Sequence, residues 1–132
     1  ISNRVIQIFL RRAFENQKIF VKGDGKEKLD FTYIDDFCEG IYKVITNKKK
    51  STKQIFNVTY GRAKSLIDIK KLIKQKFKYQ EFTNLKRDKL MAMRGTLSIN
   101  KARKLINYQP QFDLVRGFKQ YYKWYKDIYE KN

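Results

Sequence analysis

Apolar positions recur at helical spacing in five stretches of the chain and cluster or alternate as strands in three. Val5, Ile6, Phe9, Leu10 and Ala13 share one helical face, with Ser2-Asn3 placed to cap it and Arg4, Arg11 and Glu15 on the other side. Ile19–Lys22 reads as a short strand, stopped by Gly23-Asp24-Gly25, a turn that uses glycine's access to positive φ. A second strand is predicted from Leu29 to Ile34, where Leu29, Phe31 and Tyr33 alternate with Asp30 and Thr32. Asp35 or Asp36 then caps a helix that turns Phe37, Ile41, Val44 and Ile45 inward. Lys48-Lys49-Lys50 with Lys53 falls where a surface loop belongs, and Gln54–Thr59 is the best strand candidate in the chain.

The second half is mostly helical. Ser65 and Asp68 form a capping-box pair ahead of the stripe Leu66, Ile69, Leu72, Ile73 and Phe77. Gln80 to Thr96 is the least regular stretch. Ser98 opens a short helix through Ile99, Ala102, Leu105 and Ile106, closed by Asn107 and Pro110. A long amphipathic helix runs from about Leu114 to Tyr129, with Leu114, Phe118, Tyr121, Tyr122, Tyr125 and Ile128 inward and Arg116, Lys119, Lys123 and Lys126 outward. The class is α/β, or α+β for a fragment, with helix dominating.

Composition narrows the chemistry. The 132 residues carry 31 Lys+Arg against 13 Asp+Glu, a formal +18, with no histidine. Without histidine there is no Ser-His-Asp or Cys-His catalysis and no imidazole zinc site. The single Cys38 cannot make an intrachain disulfide or hold a metal by itself. No apolar run reaches the ~18 residues of a membrane span, so a soluble cytoplasmic protein is expected, with neither metal nor membrane partner. The cations are spread along the chain and are mainly lysine, which suits a solvated surface better than a nucleic-acid footprint.

Candidate catalytic pairs are weak. Tyr60/Lys64 has the Tyr-x-x-x-Lys spacing but straddles Gly61 in a loop, and of Tyr122/Lys126 the tyrosine lies on a buried stripe with the lysine near its edge. Asp35-Asp36 has a plain role as a helix cap, and Gly23-Asp24-Gly25 lacks the further glycine and helix start of a phosphate loop. No catalytic residue is assigned.

The order of segments carries more than any one of them. Lys18-Ile19-Phe20-Val21-Lys22-Gly23-Asp24-Gly25, followed by Leu29-Asp30-Phe31-Thr32-Tyr33-Ile34-Asp35-Asp36, resembles the G-D-G…R-D-F-x-Y-V-D-D pattern of extended short-chain dehydrogenase/reductases, the NAD-dependent nucleotide-sugar epimerases and dehydratases. Ile55-Phe56-Asn57-Val58 and Gly61-Arg62-Ala63-Lys64-Ser65-Leu66 are similar to that family's F-N-[IV]-G strand and G-[RK]-x-x-S-L helix start. Arg94-Gly95-Thr96-Leu97-Ser98, Lys101-Ala102-Arg103-Lys104-Leu105 and Tyr108-Gln109-Pro110 are similar to its R-G-x-L-x-x-x-K-A-x-x-L-L-G-Y-x-P run.

The resemblance implies a single C-terminal nucleotide-sugar-binding region over residues 1–132 of a Rossmann-type enzyme. NAD and the catalytic Tyr-x-x-x-Lys would belong to an N-terminal part absent from this chain, and a start at Ile1 fits a truncated or proteolysed piece. It also implies site residues. Main-chain groups at Phe20 and Lys22 would hold the base, and Arg94 would hold the diphosphate. The family's R-D-F arginine is Leu29 here, so Lys28 is the neighbouring cation for the phosphates. Such a piece is expected to be catalytically incomplete alone and to self-associate through exposed apolar surface, with Gln54–Thr59 and Leu29–Ile34 as orphaned strand edges. The other function classes are a stand-alone basic nucleic-acid-binding domain and an oligomerisation domain.

Overall fold

The structure is a computed structural model that describes residues 4–88, 90, 92 and 94–131. In chain order its elements are α1 (Val5–Phe14), β1 (Ile19–Lys22), β2 (Lys28–Leu29), α2 (Ile34–Thr46), α3 (Lys48–Ser51), β3 (Lys64–Ser65), α4 (Leu66–Lys76), β4 (Phe82–Leu85), α5 (Asn100–Ile106) and α6 (Leu114–Tyr129). Helix dominates and the strands are short, as the patterning predicts. Two compact units result, one from the described residues up to Lys28 with Ser65–Arg94, the other from Leu29–Lys64 with the described residues from Gly95 onward. Strands β2 and β3 lie where the chain crosses from one to the other.

In the first unit β1 pairs in parallel with β4, from Ile19 opposite Phe82 to Lys22 opposite Leu85. Burial alternates along β1, with Ile19 and Val21 in the core and Phe20 and Lys22 exposed. Phe9, Leu10 and Ala13 of α1 and Leu66, Ile69, Leu72 and Ile73 of α4 complete that core. The capping box forms in full: Ser65 Oγ accepts the Asp68 amide at 3.2 Å, and Asp68 Oδ2 accepts the Ser65 amide at 2.9 Å. Strand β4 falls inside the stretch expected to be irregular. Its few residues acquire regularity only from β1, some sixty positions earlier. Helix α1 begins after Arg4, and the Ser2-Asn3 cap lies outside the described residues.

The second unit is built on two buried or half-buried carboxylates. Asp30 accepts from Thr59 Oγ1 (3.1 Å), the Gly61 amide (3.1 Å) and the Leu97 amide (3.2 Å). Asp36 is 3% exposed and accepts the amides of Gln111 and Phe112. The core is Ile99, Ala102, Ile106 and Tyr108, with Val44, Phe56, Val58 and Leu105 packed on it. Helix α5 ends at Asn107 in the left-handed region (φ 53°), and α6 starts behind Asp113, whose Oδ1 accepts the Arg116 amide at 2.8 Å.

Four expectations change here. The strand predicted over Leu29–Ile34 shrinks to Lys28–Leu29, because Asp30 bonds to three distant groups and α2 already begins at Ile34. Asp35 and Asp36 lie inside the first turn of α2; neither caps it, and Asp36 serves another segment instead. Gln54–Thr59 joins no sheet among the described residues, and Asn57 Nδ2 donates to the Ser98 carbonyl. Phe37, Ile41 and Ile45 face outward, while the buried positions of α2 are Asp36 and Gly40. Two smaller differences follow. The lysine block forms one turn of helix, α3, and Ile128 is exposed near the end of α6. Among the described residues no helix is long and apolar enough to cross a membrane.

Candidate functional site

Strand β1 offers a peptide edge. The Ile19 amide donates to the Glu81 carbonyl at 3.0 Å and the Gly23 amide to the Leu85 carbonyl at 2.7 Å, so odd-numbered peptide groups face β4. Peptide groups alternate along a strand, and the N–H and C=O of Phe20 and Lys22 therefore leave from the opposite edge. Among the described residues no strand pairs with that edge. One position earlier the Lys18 carbonyl, on the same side, is taken by Arg12 Nη1 at 2.8 Å. The Arg12 guanidinium also lies over the Phe20 ring, 5.1 Å from its centroid.

The turn that follows is held from both sides. Gly23 and Gly25 adopt φ of +82° and +79°, conformations that L side chains rarely adopt. The Asp24 carboxylate accepts the Lys26 amide at 2.9 Å, and that bond, with the Lys26 ammonium 3.6 Å away, holds its pKa below the usual carboxylate value. The amides of Leu66 and Ile67, at the start of α4, donate to the carbonyls of Glu27 and Gly25.

Arg87 clasps the turn to the segment beyond β4. Its side-chain carbons lie 3.5 Å from where a Cβ on Gly23 would stand. One terminal nitrogen sits 3.8 Å from the Glu27 carboxylate and donates to the Ala92 carbonyl at 3.1 Å. The Glu27 side chain is nearly buried in this pair. Arg94 follows two residues after Ala92, and the clasp thereby ties its segment to the turn.

The four sequence-derived site residues thus fall in one unit. Phe20 and Lys22 share one edge and one face of β1, Lys28 opens β2 just past the turn, and Arg94 is exposed beyond the Arg87 clasp. None of Lys22, Lys28 and Arg94 takes part in an ion pair among the described residues. Arg12, Glu27 and Arg87 escaped the sequence reading, since nothing in their spacing marks them; only the fold sets Arg12 at the free edge of β1 and Arg87 against Glu27.

Tyr60 and Lys64 are not on a helix, and Lys126 pairs with Glu130 at 3.4 Å. Among the described residues no group of three or more His, Cys, Asp or Glu side chains is gathered to hold a metal ion. A dinucleotide does not fit here either, because the Gly23–Gly25 turn leads into β2, whereas a dinucleotide cradle leads from a strand into a helix N-terminus.

Comparison with known proteins bears on the whole chain. Residues 1–59 match the model of the NAD dependent epimerase/dehydratase family. The chain is 31% identical over 127 residues to a UDP-glucuronate 4-epimerase of Thermodesulfobacterium geofontis, a match covering 92% of the chain and 38% of that relative. It is 28% identical to a putative UDP-glucose 4-epimerase of Methanocaldococcus jannaschii, over 93% of the chain and 39% of the relative. Among solved structures, epimerase Mth375 from Methanothermobacter thermautotrophicus superposes with a TM-score of 0.91 at 24% identity, covering 98% of this chain and 39% of that one. The UDP-glucuronic acid 4-epimerase of Bacillus cereus, solved with UDP-glucuronic acid and NAD, gives 0.87 at 24% identity, over 96% of this chain and 40% of that one. The chain spans about two-fifths of the length of these relatives.

Proposed function

Because the chain belongs to the NAD-dependent epimerase/dehydratase family, as the C-terminal part of an extended short-chain dehydrogenase/reductase, we propose that it is the nucleotide-sugar-binding part of a longer enzyme. That enzyme epimerises or dehydrates a nucleotide-diphosphate sugar, with a uridine nucleotide as the favoured class. The observation that carries this reading is the peptide edge at Phe20 and Lys22, which no strand covers among the described residues and which ends in the braced turn, with Lys22, Lys28 and Arg94 in no ion pair among those residues. A pyrimidine imide presents a donor between two acceptors, and a free strand edge presents the complementary N–H and C=O groups. Lys22 contributes through its backbone, so its side chain does not choose the base.

The diphosphate falls to the cations past the turn. Arg94 offers a planar fork of donors matched to phosphate oxygens, and Lys28 supplies a point charge where Leu29 has none. The Arg87–Glu27 pair, 3.8 Å apart, links the turn to the segment that leads to Arg94. NAD would be held by the remainder of the enzyme and would supply the redox chemistry on the sugar there. This chain's residues bind and orient the nucleotide and leave the proton and hydride steps to that remainder.

Titration of the isotopically labelled chain with UDP, UMP and a single-stranded RNA tests the reading. UDP should shift the amides of Phe20, Lys22 and Gly23, and Arg94→Ala should weaken UDP by about tenfold or more, the worth of a charge-assisted contact. Lys22→Ala should change UDP affinity by no more than about twofold, as expected for a main-chain contact. Indifference of those amides to UDP would overturn the proposal. RNA binding that moves lysines across the whole surface, and falls steeply with salt, would replace it with a nucleic-acid role.

A further inference from the structure

Arg12 stands at one end of the peptide edge proposed for the base. It belongs to the last turn of α1, and its Nη1 donates to the Lys18 carbonyl at 2.8 Å. Its Cζ lies 5.1 Å from the centre of the Phe20 ring, a cation–π contact that holds the guanidinium against that residue. The side chain is half-buried, and no carboxylate pairs with it among the described residues. A guanidinium carries five N–H groups and no acceptor. Among the described residues the Lys18 carbonyl is the one protein acceptor that Arg12 serves, which leaves most of the fork for a ligand.

The edge of β1 needs such a group. An imide sets one N–H between two carbonyls, so it asks for an acceptor flanked by two donors. The Phe20 carbonyl is flanked on its edge by the amides of Phe20 and Lys22, but equivalent groups on one edge recur every second residue, about 6.6–6.8 Å apart. That is wider than the span between the two carbonyls of one six-membered ring. With the imide N–H on the Phe20 carbonyl and one ring carbonyl on the Lys22 amide, the other carbonyl is turned towards Lys18, where Arg12 is placed. The phosphates fix which carbonyl that is. They leave a pyrimidine nucleotide through N1, beside the C2 carbonyl, and the cations proposed to hold them lie past the turn, at the Lys22 end. The C4 substituent therefore points to the Lys18 end.

We infer that Arg12 is a specificity-determining residue that reads position 4 of the base, accepting a carbonyl there and turning away an amine. This rests on the reading of the β1 edge as a base site and deepens it. The guanidinium can only donate, so uracil gains a charge-assisted hydrogen bond, whereas the amine of cytosine sets donor against donor. The main chain tells the two bases apart at N3, and Arg12 adds the second position.

Titration of the labelled chain and its Arg12→Ala and Arg12→Gln variants with UDP and CDP tests this. Arg12→Ala should weaken UDP by about tenfold and change CDP by no more than about twofold, so the preference for UDP narrows by about fivefold or more. Arg12→Gln presents a carbonyl as well as an N–H, and it should narrow the preference partly by strengthening CDP. It also keeps a donor for the Lys18 carbonyl, so it carries the test if the alanine variant fails to fold. A clasp that only fixed α1 to β1 would weaken both nucleotides alike, and an unchanged ratio of UDP to CDP affinity in the folded variants would overturn the inference. The two readings fail separately. UDP that leaves the amides of Phe20 and Lys22 unmoved defeats the base site itself. UDP that moves them with the same preference over CDP in every variant defeats the role of Arg12 alone.

Discussion

The carboxylate of Asp36 accepts the backbone N–H of Phe112 at 2.9 Å, across 76 positions of sequence. Its other oxygen takes the Gln111 amide at 2.7 Å, and the residue is 3% exposed. A buried charge is tolerated when donors are aimed at it, and here they are the last amides before the Asp113 cap of α6. This one side chain therefore sets where α6 departs from α2.

Asp36→Leu should cost up to about 3 kcal/mol, because two part-buried amides lose their acceptor and a buried unsatisfied group costs about 1–3 kcal/mol. Asp36→Asn keeps one carbonyl acceptor and should lose roughly half as much. Urea unfolding followed by tryptophan fluorescence, with Trp124 on α6, reads both. An Asp36→Leu protein as stable as the native one would remove the clamp from the account.

Gly40→Ala pits two effects against each other. Alanine is the better helix former by about 1 kcal/mol. Its Cβ, however, would collide with Val58 Cγ1 and stand 3.2 Å from the Tyr108 ring. Overpacking of that kind costs about 1–3 kcal/mol, so the variant should be less stable despite its propensity. Adding Val58→Ala should recover part of the loss, and a stabilised single variant in thermal melts would refute the packing argument.

Tyr108 is fully buried, and its hydroxyl has no hydrogen-bond partner among the described residues. Burial, then the carboxylates of Asp36 and Asp30, push its pKa up to about 12. The unfolded phenol ionises near 10, so the native state holds a proton that the unfolded chain has already released. The contribution is whole below pH 10 and lost as pH climbs from 10 towards 12. Tyr108→Phe should match or exceed native stability at neutral pH, by up to about 1 kcal/mol, and flatten the alkaline decline. A steep loss at neutral pH would show that the hydroxyl has a structural partner.

Asp24 gives the opposite dependence. The Lys26 amide, assisted by the Lys26 ammonium, holds its carboxyl below 3.8 in the folded turn. What it adds to the turn is present above the unfolded value and disappears as pH falls through the lower folded one. The Lys26 amide signal should therefore move only at strongly acidic pH, below where a free aspartate titrates. Asp24→Ala should abolish the step and speed exchange of that amide. An amide that ignores acid in the native chain would exclude the bond.

Much of the local structure was legible in the sequence because it depends on neighbours. Strand β1 and helix α6 begin and end where patterning predicts, and the Ser65/Asp68 box caps α4 with both of its bonds. Gly23 and Gly25 take the positive φ that a tight turn needs. Of the candidate site, Phe20, Lys22, Lys28 and Arg94 were reached through family resemblance, not through any periodic signal. Strand β4 was missed for the complementary reason, since Phe82–Leu85 is extended only because β1 pairs with it.

By itself, then, the sequence determined where the longer helices, the Gly23–Gly25 turn and the Ser65/Asp68 cap form, since each rests on spacings of two to four residues. It also determined that α2 has an apolar face. Tertiary structure decided which way that face points, because Asp36 and Gly40 meet partners around positions 58 and 108–112 that no local pattern announces. It likewise decided which edge of β1 stays open. Peptide direction alternates along any strand, and only the pairing with β4 leaves Phe20 and Lys22 on the free side.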